Sequence, residues 1–187
     1  MTIRKELVAT IRALPRPIII AVSGFGGSGK TTFATMLGVA ISAPVIGVDA
    51  FMKDRTMTAY SLWECFDYGR LEREVLLPFS QSENPLHYGV WDWYPNTVTK
   101  TVEVPHAECI ITEGVGLFRP ELLHYFAYAI WIDCPLDEAT ERGKERDREV
   151  HKNPQDKEWD GIWKQNDAEY FEKFKPKEIA DVVIDNA

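Results

Sequence analysis

The sequence predicts an α/β fold: a mostly parallel five-stranded sheet with flanking helices and a small flap on one side. Three observations predict it. Short, unbroken β-branched runs recur along the chain, as in strands buried on both faces. Stretches of helical period separate them, the spacing of strand–helix–strand units. The first run passes into a glycine-rich turn and then a helix, at the carboxyl end of a strand where such sheets bind ligands.

In order, Ile3, Leu7, Val8, Ile11 and Leu14 make an amphipathic helix over Ile3 to Leu14, stopped by Pro15 and Pro17. Ile18 to Ser23 is a strand without polar alternation, Gly24 to Gly29 a turn, and Thr31 to Ile41 a helix. Val45 to Val48 is the second buried strand. A longer irregular stretch follows, in which Glu72 to Leu77 is helical and Pro78 ends it. Thr97 to Val104 alternates β-branched and polar residues, as an exposed strand or hairpin arm does. Cys109 to Thr112 is the third buried strand, and Pro120 to Tyr125 a short helix with proline in its first turn. Ala129 to Asp133 is the fourth strand and Leu136 to Val150 a helix rich in both charge signs. His151 to Lys157 reads as a mobile loop. Trp159 to Phe174 is the last helix, its stripe of Trp159, Ile162, Trp163 and Tyr170 reading as core, with Asp167 and Glu169 left as groups that could face a cleft. Val182 to Ile184 is the fifth strand.

The length of 187 residues suits one domain, 1–187. Lys and Arg number 21 against 29 Asp and Glu, and a net charge of −8 disfavours nucleic acid polymers and anionic membranes as partners. A local basic pocket for one small polyanion remains open. Cys65, Cys109 and Cys134 are an odd number with no C-x-x-C spacing, so they read as reduced, mostly buried thiols of a cytoplasmic protein. The N-terminal residues lack a signal-peptide core, and the longest apolar run, Ile18 to Val22, is too short to cross a bilayer. A homo-oligomer is compatible with all of this.

Gly24-Phe25-Gly26-Gly27-Ser28-Gly29-Lys30-Thr31 fits G-x-x-x-x-G-K-[ST], the P-loop pattern. Gly24, Gly26, Gly27 and Gly29 let backbone N–H groups, with that of Ser28, turn around phosphate oxygens. The helix that follows, with Thr32 in its first turn, points its positive end at the same anion. Lys30 can reach the outer phosphates and the Thr31 hydroxyl can hold Mg²⁺. The pattern with its strand and helix context indicates a nucleoside triphosphate. No N-K-x-D guanine motif occurs. Carboxylates close the second and third strands: Asp49, which could accept a proton from an acceptor hydroxyl or order Mg²⁺, and Glu113, which resembles the acid that polarises Mg²⁺ in P-loop proteins.

GFGGSGKTT, VDAF, FDYGRLE, ITEGVGLF and WIDCPLDEATERGKERDRE, in that order, resemble the uridine kinase and phosphoribulokinase group of P-loop kinases, from about Ile18 to the end and most nearly the short bacterial uridine kinase-like type. The resemblance implies a three-layer P-loop NTPase fold, ATP as co-substrate with Mg²⁺, and a small hydroxyl-bearing metabolite as acceptor. VDAF resembles the D-S-F-Y segment and implies Asp49 as catalytic base. Phe66-Asp67 resembles F-D-H-P and implies Asp67 as a ribose ligand; a capping role before Arg70 is the plainer alternative. TEG resembles F-E-G and implies Glu113 as the Mg²⁺ acid, alongside Thr31 of the P-loop pattern. The arginines Arg142, Arg146 and Arg148 resemble a lid over residues 142–158, with Arg146 closing on the phosphates and Arg142 on the nucleotide; a solvated, salt-bridged helix is the alternative.

The pattern departs on the acceptor side, 51–104. Trp91-Asp92-Trp93 matches Y-D-F in type, but Asn96 stands where the group has its base-reading histidine, and Tyr68-Gly69-Arg70 stands where it has H-P-D. Trp91, Trp93 and Tyr94 could stack on a planar acceptor or form the apolar side of the flap. Arg70 could meet an acidic acceptor or pair with a neighbouring Glu. The expectation is transfer of the γ-phosphoryl of ATP to a hydroxyl of a nucleoside. Pantothenate-like or nicotinamide-riboside-like acceptors, a non-catalytic nucleotide-binding module, and an ATPase without acceptor are the alternatives.

Overall fold

The computed structural model describes residues 2–83 and 85–187; Met1 and Asn84 lie outside them. The described strands are β1 (Ile18–Gly24), β2 (Val45–Gly47), β3 (Leu86–Asp92), β4 (Thr97–Val104), β5 (Cys109–Glu113), β6 (Phe126–Asp133) and β7 (Val182–Asp185). The described helices are α1 (Lys5–Arg12), α2 (Lys30–Ile41), α3 (residues 68–80), α4 (Pro120–Leu123), α5 (Leu136–Glu149), α6 (residues 156–174) and α7 (Pro176–Ile179). Five strands form one parallel sheet in the order β2-β5-β1-β6-β7, and β3 and β4 pair as an antiparallel hairpin.

The unbroken apolar runs follow from this layering. Successive side chains of a strand point to opposite faces. Ile18, Ile20 and Val22 of β1, Ile111 of β5, and Ile130 and Ile132 of β6 pack with Phe33 and Leu37 of α2 and with Ile11 of α1. Ile19, Ala21, Ile110 and Trp131 pack on the other face with Phe25, Phe118 and Tyr170. Both faces are covered, so neither half of the alternation is polar.

The sheet order also fixes where a ligand goes. β1 lies between β5 and β6, and the chain leaves β1 toward β2 on one side and later passes from β5 to β6 on the other. The carboxyl end of β1 is therefore the topological switch point. Parallel register sets Val22 and Gly47 level with Glu113, and Gly24 level with Ile132. The glycine turn, Glu113 and the residues after β2 thus emerge at one edge.

Some boundaries differ from the sequence pattern. Val48 opens a 3₁₀ turn, Val48–Phe51, so Asp49 stands on that turn and not on the strand. α3 begins at Tyr68 and passes through Pro78 to Ser80, where the sequence predicts a stop at the proline. A wide π-type turn, Glu72–Leu76, precedes Pro78 and changes the helical register where the missing N–H would otherwise leave a gap. The loop expected over His151 to Lys157 gives way to helix at Asp156, and α6 is kinked at Gly161. β3 is a full partner of β4, with Leu86 opposite Val104 and Asp92 opposite Thr97. All three cysteines are free and buried. Among the described residues no helix is long and apolar enough to cross a membrane.

Candidate active site

The phosphate loop runs from the last residue of β1 into α2. Gly27 has φ +79°, and a Cβ placed on it would lie 2.0 Å from the Ala139 carbonyl oxygen of α5. Only glycine lets α5 approach this closely. Gly29 caps α2 in the left-handed region, and its carbonyl accepts the Phe33 N–H at 3.0 Å. Ser28 donates its backbone N–H to Phe25 O at 3.1 Å, and its carbonyl accepts Asn186 Nδ2–H at 2.8 Å. The Ser28 hydroxyl is buried and has no partner among the described residues. Lys30 Nζ donates to Phe25 O at 3.3 Å, and Thr32 is exposed at the start of α2.

Thr31 and Glu113 meet. The Thr31 hydroxyl lies 3.2 Å from each carboxylate oxygen of Glu113. Glu113 is 7% exposed. Burial raises its pKa, the Lys30 ammonium pulls it back, and the nearby Asp49 carboxylate pushes it further up. Asp49 is exposed beside this pair. A magnesium ion fits such a donor set: it keeps most of its water and takes one or two carboxylates, a hydroxyl and substrate phosphates in place of an all-protein cage. No group of three or more His, Cys, Asp or Glu side chains gathers as a metal cage among the described residues.

In the region 51–104, Asp67 caps α3 by accepting the Arg70 N–H at 2.8 Å. Its own N–H donates to Phe51 O, which seats it against the turn that carries Asp49. Arg70 is held by protein groups. Its guanidinium donates to Gly89 O at 2.9 Å and Ala50 O at 2.5 Å, lies 3.7 Å from Glu74, and stacks over Phe51 with 4.7 Å to the ring centre. It therefore ties the β3–β4 hairpin to the Asp49 turn. Trp91 is half-buried, and its indole N–H has no partner among the described residues. Tyr94 is 89% exposed at the hairpin turn. Asn96 accepts Arg55 N–H at 2.8 Å and donates to Asp54 at 2.7 Å, so the turn of the hairpin closes on the loop after Phe51.

The arginines of α5 are paired. Arg142 donates to Asn186 O at 2.6 Å and bonds Glu138; Arg146 bonds Asp147 at 2.9 Å; Arg148 bonds Asp156 at 2.7 Å. Asp147 also accepts Trp159 Nε1–H at 2.8 Å. The Trp159 ring packs against Gly26 and Gly143, so the start of α6 lies on the phosphate loop.

One residue gains a position that sequence reasoning only glimpsed. Asp167 accepts the Gly26 N–H at 2.8 Å on Oδ2 and the Trp63 indole N–H at 2.9 Å on Oδ1. It is 2% exposed. Burial lifts its pKa to about 7 against the pull of Lys30 and of both N–H donors. Glu169 instead accepts from Gln165 one turn back on α6. The available signal was the helical spacing of Trp163, Asp167 and Tyr170, which sets a carboxylate on the buried stripe.

Fold and site define a class: a P-loop kinase of the small-molecule type. Within it the chain is similar to uridine kinases. It is 27% identical over 145 residues to the uridine kinase of Ureaplasma parvum serovar 3, covering 70% of this chain and 69% of that protein. The structure superposes on a possible uridine kinase from Bacillus stearothermophilus with a TM-score of 0.69 at 22% identity, covering 96% of both chains. A protein provisionally assigned as a fructose transport system kinase, from Silicibacter sp. TM1040, superposes with a TM-score of 0.69 at 20% identity, over 96% of this chain and 97% of that one. No protein-family model matches the chain.

Proposed function

We propose that this protein transfers the γ-phosphoryl of ATP to a hydroxyl of a small metabolite, with a nucleoside such as uridine the first acceptor to test. The observation that carries the reading is the meeting of Thr31 with Glu113 beside Asp49 and Lys30 at the switch point of the sheet. A pure nucleotide binder needs the loop; it has no use for a free carboxylate beside the metal pair.

In this mechanism the loop amides and Lys30 bind the β- and γ-phosphates. Thr31 and Glu113 would hold Mg²⁺, which when bound offsets charge on the phosphates. Asp49 orients the acceptor hydroxyl and takes its proton. Residues 51–104 form the acceptor side and residues 142–158 the lid, whose Arg146 meets transferring charge once it leaves Asp147. Asp67 has one carboxylate oxygen committed to its cap and a second that can accept from a ribose hydroxyl. The unpartnered Trp91 indole N–H supports a polar acceptor against the hairpin. The setting is the cytoplasm, in keeping with three buried, reduced thiols.

The second reading, a kinase for a different hydroxyl-bearing acceptor, is favoured by Asn96. Its side chain is already shared between Arg55 and Asp54, which leaves it unsuited to reading a base. An acceptor screen with Mg·ATP, read by product mass over nucleosides, sugars, pantothenate and nicotinamide riboside, separates the two. Asp49→Asn should lower transfer at least ~100-fold with ATP binding kept. Absence of transfer to every acceptor in the panel refutes the kinase reading and leaves a nucleotide-binding module or an ATPase.

A further inference from the structure

The mechanism above gives Asp167 no role, yet its carboxylate lies in the phosphate loop. Asp167 and its neighbour Asn166 are 2% and 0% exposed. Asn166 is fully bonded, to residues 60–63 and to its own helix. Its Oδ1 accepts the Trp63 backbone N–H at 2.7 Å, and its Nδ2 donates to Tyr60 O at 3.2 Å and Ile162 O at 2.7 Å. Asp167 continues the contact to the Trp63 indole and then reaches the Gly26 amide. One short stretch of α6 therefore grips residues 60–63 and the phosphate loop together.

The residue type matters. A carboxylate accepts at both oxygens, whereas an amide accepts at one and presents N–H at the other. A buried carboxylate with no cationic partner is strongly unfavourable, and Asp167 makes no ion pair among the described residues. The titratable groups that face it are Lys30 from the start of α2 and Tyr170 one turn on along α6. An amide in this place would satisfy only one of the two donors, Gly26 N–H or the Trp63 indole N–H. When ionised, the carboxylate sets negative charge at an amide of the phosphate loop.

We propose that Asp167 is a positioning residue that couples the acceptor-side segment 60–63 to the phosphate loop, so that occupancy of either site is felt at the other. Nucleotide phosphate brings negative charge to a loop whose Gly26 N–H is already held by a carboxylate. Any shift of that carboxylate is passed to the Trp63 indole on its other oxygen. The naming of 60–63 as acceptor side rests on the kinase reading; the coupling itself does not.

The test is a double-mutant cycle on Mg·ATP affinity, measured by calorimetry at about pH 8 on wild type, Trp63→Phe, Asp167→Asn and the double variant. Trp63→Phe keeps an aromatic ring and removes the indole donor. It should tighten Mg·ATP binding at least ~3-fold, Asp167→Asn at least ~10-fold, and the double variant should match Asp167→Asn within ~1.5-fold. Additive shifts, or a Trp63→Phe affinity within ~1.5-fold of wild type, overturn the proposal. So does a lowered melting temperature with unchanged affinities, the signature of mere support.

Should Asp167→Asn fail to fold, wild type and Trp63→Phe carry the test across about pH 6 to 8. Affinity of the wild type should weaken around pH 7 as Asp167 ionises. The midpoint should move to higher pH in Trp63→Phe, because the lost N–H no longer stabilises the charged form. Coincident or flat curves overturn the proposal. A barren acceptor screen alongside these shifts refutes the kinase reading and leaves the coupling standing.

Discussion

Asp167 should make the nucleotide-free protein less stable as pH rises. An aspartate titrates near 3.8 when unfolded, and burial lifts Asp167 to about 7 in the fold. Between those values the folded state keeps a proton that the unfolded state has lost, so stability is fully present below the unfolded value and declines as pH rises toward 7. The sign is opposite to that of Asp137, which Lys164 holds below its ordinary value and which contributes above that value. With those two pKa values, linkage gives a loss of about 2.5 kcal/mol between about pH 5 and about pH 8. The perturbation is Asp167→Asn, which cannot titrate. Urea unfolding of both proteins without nucleotide, at four pH values across that window, gives the difference in stability. The offset between the curves contains the lost hydrogen bond to Gly26 or Trp63; the slope contains only the titration. Relative to the variant, the wild type should lose about 2.5 kcal/mol across the window. A difference constant within ~0.5 kcal/mol, or one that grows in the other direction, refutes the assignment of a raised pKa to this carboxylate.

Three further outcomes follow from the same geometry. Glu113→Gln keeps a partner for Thr31 and removes the charge, so ATP affinity in chelator should stay within ~2-fold of wild type while the tightening produced by Mg²⁺ falls at least ~10-fold. Calorimetry with and without Mg²⁺ checks it. Gly27→Ala drives a methyl into the Ala139 carbonyl at a positive φ and should destabilise the fold by ~2 kcal/mol or more, with nucleotide binding lost, as read by denaturation and titration. Arg70→Ala removes the donors to Ala50 O and Gly89 O, and should cost about 2–4 kcal/mol and increase protease cleavage in the β3–β4 hairpin before global unfolding.

Much of the fold was legible because its signals are local. The five sheet strands lie where the β-branched runs are, and the phosphate loop lies where the glycines are, since both depend on a few adjacent residues. Pro78 misled because its compensation, the wide turn over Glu72–Leu76, is a register change that residue type alone does not reveal. The Thr31–Glu113 contact could be anticipated because motif positions and parallel strands bring strand ends together. The partners of Arg70 could not, since Ala50 O and Gly89 O are backbone atoms whose approach depends on how the hairpin docks. Asp167 sits between these cases. Its place on a buried helical stripe is visible in the sequence, but its two partners are 141 and 104 residues away.

The pairing of the α5 arginines changes what the acidic composition means. The proposed function draws on four cations: Lys30, Arg142, Arg146 and Arg148. Each arginine already bonds an acidic side chain, Glu138, Asp147 and Asp156 respectively. Lys30 has no carboxylate partner among the described residues and only a 3.3 Å bond to Phe25 O. On the proposed function, an incoming triphosphate meets Lys30 and the loop amides first, and gains an arginine only by exchanging it with a carboxylate. Such an exchange releases one ion pair as it forms another, so it contributes little net attraction. Asp147 gives it a consequence. Its second oxygen holds the Trp159 indole, and the Trp159 ring lies on Gly26. Drawing Arg146 away would leave the Asp147 carboxylate with a single donor, the Trp159 indole. The arginines of the proposed function thus reach the phosphates only by giving up these pairs, whereas Lys30 has no carboxylate to exchange among the described residues.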